Sequence, residues 1–166
     1  MISDEYRQQL QEKHASDETW GTTSHRYADL VRHLIKEYGI TDILDYGCGK
    51  GAMKKSLGMD IREYDPGIPQ KSKKPKPAQM VVCTDVLEHV EPNYLKQVLD
   101  DLQRVTKKVL LLDVCVVKAV HTLPDGRNAH LIVENMNWWL PKIIDRFKIK
   151  VLQDAGSNFF MVLEPL

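Results

Sequence analysis

The chain has 166 residues, enough for one unit with a substantial hydrophobic core. A hydrophobic fraction of 43% and a charged fraction of 28% are ordinary for a water-soluble fold and argue against a disordered chain. The 23 basic and 23 acidic residues cancel, so no global field favours nucleic acid or an anionic membrane, and any charged partner must be recognised locally. The longest apolar run, 109–117, holds Asp113 and is too short to span a bilayer. Residues 1–14 are polar and do not read as a secretion signal. Cys48, Cys83 and Cys115 lie in or beside apolar segments, as buried unreactive thiols do, so a reducing cytoplasm is the expected setting.

In chain order, Ser3 caps a first helix that runs to about His14, with only Tyr6 and Leu10 on its apolar face; such a helix is expected to lie on the core as an arm. After the break at 17–25, Tyr27, Leu30, Val31, Leu34, Ile35 and Tyr38 form one helical stripe, with Thr23 or Ser24 as cap and Gly39 as terminator. Residues 41–46 read as a buried strand ending in a glycine loop, followed by a brief helix over 52–57 and a strand over 61–64. The stretch 66–77 holds four prolines and four lysines, which excludes a regular helix or a central strand. It reads as a solvated loop, with a local phosphate-binding patch as the alternative. Met80–Thr84 is the next strand. Pro92 opens a helix with Leu95, Val98, Leu99, Leu102 and Val105 inward, closed by Lys107 and Lys108. A strand follows over 109–117, then a polar loop over 118–137. Asn137 is expected to cap a helix over 138–147, where Trp138 and Trp139 read as core and rim packing. An antiparallel hairpin over 148–153 and 159–163 closes the chain. The alternation predicts a three-layer α/β sandwich with a mostly parallel sheet. The expected division is a single unit over 1–166, with residues 1–39 as a helical arm and 40–166 as the core.

The chemistry gathers at Leu44-Asp45-Tyr46-Gly47-Cys48-Gly49-Lys50-Gly51. A strand ending in Gly-x-Gly-x-Gly lets the backbone approach a ligand at the carboxyl end of a sheet. A phosphate loop of the Walker kind does not fit, because Lys50 lacks the upstream glycine and a following Ser or Thr. The spacing also departs from the dinucleotide fingerprint. Asp65 lies twenty residues beyond Asp45 at the end of the next strand, where a carboxylate can accept ribose hydroxyls. Val81 to Val90 then places Asp85, Glu88 and His89 just past another strand.

Together these motifs resemble the class I S-adenosylmethionine-dependent methyltransferases, especially those acting on small molecules, and the resemblance spans roughly residues 40–165. It implies a Rossmann-like fold and S-adenosylmethionine as methyl donor. Carried over position by position, Asp45, Tyr46, Gly47, Gly49 and Gly51 form the cofactor loop, with Asp45 anchoring the methionine amino group through it. Asp65 holds the ribose, Thr84 or Asp85 lines the site near the sulfonium, and Trp20 with Gly21 resembles an arm that closes over the cofactor. The family's usual helix and third strand after the ribose acid are missing here. The expected sheet order is therefore 2-1-4-5-7-6 in the family's strand labels.

Some family members bind a divalent metal through Glu-x-x-Glu-His at this place. By that likeness Asp85, Glu88, His89 and His130 are the candidate metal ligands, and Glu88 and His130 the candidate catalytic residues, with His130 as base in a metal-free route. His121 reads as a surface residue. No Asn-Pro-Pro-Tyr or Asp-Pro-Pro-Tyr follows the strand at Met80 and no Pro-Cys dipeptide occurs, so DNA-base methylation is not expected. A small molecule, sugar or nucleotide leads as acceptor, at oxygen or nitrogen, with an RNA terminus second. A module that binds the cofactor without catalysis is the remaining alternative. Neither a membrane nor a DNA duplex is an expected partner.

Overall fold

A computed structural model describes residues 1–166. The helices are α1 (Asp4–Ser16), α2 (Ala28–Tyr38), α3 (Ala52–Leu57), α4 (Leu95–Val105) and α5 (Met136–Ile144). The strands are β1 (Ile43–Tyr46), β2 (Arg62–Tyr64), β3 (Ala78–Thr84), β4 (Thr106–Cys115), β5 (Phe147–Asp154) and β6 (Asn158–Pro165). They form one six-stranded sheet in the order β2-β1-β3-β4-β6-β5. The first four are parallel, while β6 runs antiparallel to both β4 and β5. Relabelled by family position, this is the order expected for a sheet without its third strand.

Successive residues of the central strands serve opposite layers, as a pleated strand requires. Leu44, Val81, Leu110 and Leu112 pack with Leu99, Leu102, Trp139 and Ile143 of α4 and α5. Ile43, Met80, Val82, Val109 and Leu111 pack with Val31 and Leu34 of α2 and Met53 and Leu57 of α3. Burial on both faces explains why these strands are nearly unbroken apolar runs. Each such buried Val or Leu contributes roughly 1.5–3 kcal/mol.

Residues 66–77 contain only a short 3-10 turn, Pro69–Lys71. The segment is nonetheless pinned. Arg62 donates to the carbonyls of Lys76 and Pro77, and Arg104 to that of Pro75. Two arginines thus hold in place a stretch whose prolines cannot join a ladder.

Ser3 caps α1 by accepting from the Tyr6 N–H, and Gly39 ends α2 in the left-handed conformation at φ 59°. Several boundaries depart from expectation. Neither Thr23 nor Ser24 caps α2; a 3-10 turn over Thr23–Tyr27 leads into it, and the Thr23 hydroxyl donates to Asp85 instead. Lys107 and Lys108 do not close α4. The chain enters β4 at Thr106, whose hydroxyl satisfies the Leu102 carbonyl at 2.7 Å. Asn135, rather than Asn137, caps α5 by accepting from Trp138. That helix stops at Ile144, because Phe147 is buried as the first residue of β5. No helix is long and apolar enough to cross a membrane.

Candidate functional site

A cavity of about 400 Å³ lies where β1, β3 and β4 end, between the glycine loop below and α1 with the 118–130 loop above. That is the usual ligand position in a parallel sheet of this kind.

The floor is set by backbone hydrogen bonds. The Gly47 and Cys48 amides donate to the Tyr64 carbonyl at 2.7 and 3.0 Å. The Asp65 carboxylate accepts from Gly49 N at 2.9 Å and from Gly67 N at 2.8 Å, so one acid fastens the glycine loop to the turn after β2. Gly49 has φ 49°, and a Cβ there would stand 2.5 Å from the Gly21 carbonyl oxygen; a Cβ at Gly47 would collide with the Val86 side chain. The close approach that these glycines allow is therefore first an approach of protein to protein. The arm backbone, through Gly21, presses onto the loop, and Lys50 N donates to Gly21 O at 3.0 Å.

Of the residues assigned to the cofactor, Gly47, Gly49, Asp65, Asp85 and Trp20 line the cavity. Asp45, Tyr46, Gly51 and Thr84 do not. Tyr46 points into the core on the α4 side, where its hydroxyl donates to Asp101 at 3.1 Å. Gly51 precedes α3 beside Glu63, and the Thr84 hydroxyl is buried without a partner. Asp45 is buried beneath the loop with Oδ2 unpaired; burial, with Glu63 nearby, raises its carboxyl to about 7.

At the other end, Glu88, His89 and His130 each direct one ligand atom into a cluster whose members lie within 4.8 Å of one another. His89 Nδ1 stands 2.8 Å from the Ala129 carbonyl, and His130 Nδ1 stands 2.6 Å from the Val117 carbonyl. A carbonyl only accepts, so both rings carry a proton on Nδ1, and in the neutral ring Nε2 is the nitrogen left to bind. Burial and the nearby His130 hold His89 down at about 4, so it is neutral near pH 7. Glu88 is fully buried behind the rings. Its Oε1 accepts from Cys115 N at 2.9 Å, its Oε2 has no partner, and burial pushes its pKa well up.

The cluster does not include Asp85. That carboxylate accepts from Thr23 and, at 2.7 Å, from Arg26, whose guanidinium also reaches Asp113 at 2.9 Å. Asp85 is the one non-glycine residue with positive φ, 55°, a conformation costing roughly 1–2 kcal/mol. The four-residue metal set suggested by the sequence is thus three residues in space, with Asp85 engaged by the arm.

Sequence reasoning missed the arm's full contribution. The Tyr6 hydroxyl donates to the His89 carbonyl at 2.7 Å, and Ser3 binds both carboxylate oxygens of Glu91. His14 lies 3.9 Å from Asp65, its Nδ1 buried and unpaired. The signal was the two-residue apolar face of α1, which locates a docking stripe but not its partner. Trp20 is packed edge-on against His89 and His121, at 5.1 and 5.8 Å between ring centroids. His121, exposed as expected, still borders the cavity, as does half-buried Cys115.

No family model and no curated protein sequence matches the chain. Solved structures do. The 1,6-didemethyltoxoflavin-N1-methyltransferase of Burkholderia thailandensis, with bound S-adenosylhomocysteine, is similar at TM-score 0.70 and 13% identity, over 97% of this chain and 89% of that one. The N-methyltransferase NodS of Bradyrhizobium japonicum WM9, in complex with S-adenosylhomocysteine, is similar at 0.66 and 15%, over 98% and 99%. The fold is that of the class I methyltransferases. The cyclase SpnF is also similar, at TM-score 0.62 and 13% identity, over 85% of this chain and 80% of that one. Fold alone therefore does not fix the reaction, and the site must argue it.

Proposed function

We propose that the chain transfers a methyl group from S-adenosylmethionine to a hydroxyl of a small acceptor, with a divalent cation held by Glu88, His89 and His130. The observation that carries this reading is the convergence of those three donors at one end of a cavity whose other end is the Gly47–Gly51 loop with Asp65. Two neighbours of the same fold carry S-adenosylhomocysteine by their own description, which supports the cofactor.

The donor set fits a cation on its own terms. An unpaired carboxylate oxygen at a fully buried position is costly, and two imidazoles whose Nδ1–H is held by a backbone carbonyl have the orientation that metal-ligating histidines take from such a partner. Two nitrogens and one carboxylate suit Mn²⁺, Fe²⁺ or Zn²⁺ better than an all-oxygen site would, although Mg²⁺ belongs in the test. A bound cation would lower the pKa of the acceptor hydroxyl and orient it. The residues of the chain supply position. Asp65 faces the cofactor's ribose, the Gly47–Gly49 backbone forms the wall beside its methionine part, Trp20 and α1 line the opposite wall, and His89 and His130 face the acceptor. Displacement at a sulfonium methyl is in-line, so such placement accounts for much of the rate. A roof over a cavity this small favours a compact acceptor over a duplex.

The test is transfer of labelled methyl from S-adenosylmethionine to a panel of hydroxyl compounds, nucleotides and RNA ends, with chelator and with metal restored. Turnover that stops in chelator and returns with metal is expected. Glu88→Ala should lose turnover and bound metal while keeping S-adenosylhomocysteine affinity. Full turnover in chelator from protein without metal would overturn the cation and leave His130 as the base.

A further inference from the structure

We infer that Asn128 is a positioning residue that fixes the ring orientation of both His89 and His130. The inference rests on the cation site proposed above, but its geometry stands independently. The Asn128 carboxamide copies a strand partner. Its Nδ2 donates to the Ala119 carbonyl at 2.8 Å, while its Oδ1 accepts from Ala119 N and from His130 N, each at 3.0 Å. Its own backbone forms an isolated antiparallel bridge with Thr122.

The carbonyls that set the two imidazole tautomers flank these contacts. Val117, two residues before Ala119, offers its oxygen to His130 Nδ1; Ala129, next to Asn128, offers its oxygen to His89 Nδ1. The side chain therefore ties together the two limbs of the 117–130 loop that carry those oxygens. Few other backbone bonds hold this pair of limbs: Leu123 N to Arg127 O at the tip, and Ala129 N to His121 O at 3.1 Å. Alanine at 128 would leave the Ala119 N–H and carbonyl and the His130 N–H without these partners. Both limbs would loosen, and each ring would be free to turn or to carry its proton on Nε2. Aspartate would keep the two acceptor contacts but lose the donor to Ala119 O. It serves as the graded variant and as the fallback if alanine impairs folding.

Two readouts test this on the full chain. The first is the tautomer of each histidine by ¹⁵N–¹H correlation in metal-free protein. The second is affinity for Mn²⁺ alone by calorimetry. Wild type should show both rings protonated at Nδ1. Asn128→Ala should give mixed tautomers at His89 and His130 and weaken Mn²⁺ by about 10–100-fold, as loss of an orienting partner does. Asn128→Asp should fall between the two. Arg127→Ala, which removes only the exposed pairing with Asp125, should match wild type. Unchanged tautomers in Asn128→Ala overturn the inference, whatever the metal does. Wild-type protein that takes up no Mn²⁺ sinks the cation reading alone; a tautomer change in Asn128→Ala would then still support the positioning role.

Discussion

The two halves of the cavity are built from different material. The half we propose for the cofactor is backbone: the loop chain, glycines at positive φ and one acid, Asp65, whose oxygens clasp two N–H groups. The half proposed for the acceptor is side chains: Glu88 and two imidazoles, each imidazole set by a carbonyl of the 117–130 loop. A backbone site can be abolished by adding one carbon atom and tolerates change in the acceptor half. A side-chain site is lost by removing a single donor and leaves the loop intact. The halves should therefore fail separately.

The largest separation is expected from Gly49→Val. A Cβ there meets the Gly21 backbone, and φ 49° disfavours any branched residue. Gly21 is pushed off the loop, and S-adenosylhomocysteine affinity should drop about 100-fold or more, nearly 3 kcal/mol. The Val117 and Ala129 carbonyls that set the two imidazoles stay in place, so Mn²⁺ uptake should be retained. Equal loss of both ligands by calorimetry would show that the halves are one unit.

Asp65→Ala should cost about 1.5–3 kcal/mol of S-adenosylhomocysteine binding, the range for hydrogen bonds to a charged group. Part of that loss reflects the loop, since Gly49 N and Gly67 N both lose their acceptor. Unchanged affinity would remove Asp65 from the cofactor half.

A smaller effect sharpens the comparison through Asp45, which is buried under the loop and not in the cavity. Its carboxyl is raised from the ordinary 3.8 to about 7, so between those values the folded chain holds a proton that the unfolded chain releases. Stability from this group is thus present at low pH and lost as pH rises toward 7, by up to about 4 kcal/mol. Asp45→Asn, which mimics the protonated form, should remove that fall. Its melting temperature should draw ahead of wild type between about pH 4 and 7, and parallel profiles across that range would contradict the assignment.

Legibility followed the same divide. The buried strands, the Gly39 terminator and the missing third strand were readable, because apolar runs, a left-handed glycine and a proline-rich segment act locally. The placement of the glycine loop and Asp65 at the carboxyl ends of neighbouring strands was readable for the same reason. Asp85 was misgrouped with the metal set because its partners, Thr23 and Arg26, lie about sixty residues away and carry no pattern in the chain. Tyr46 looked like part of the loop motif, yet strand alternation turns its ring to the opposite layer, against Tyr64. The α4 boundary failed where Thr106 outcompeted the two lysines as terminator. Each of these turned on a tertiary contact that no local pattern announces.

The central claim is that this cavity binds S-adenosylmethionine at one end and a cation at the other. Its most direct test is calorimetric titration of S-adenosylhomocysteine and Mn²⁺, each alone, into wild type, Gly49→Val and Glu88→Ala. The account predicts that wild type binds both ligands, that Gly49→Val loses only S-adenosylhomocysteine, and that Glu88→Ala loses only Mn²⁺. A folded wild-type chain that binds no S-adenosylhomocysteine would contradict it.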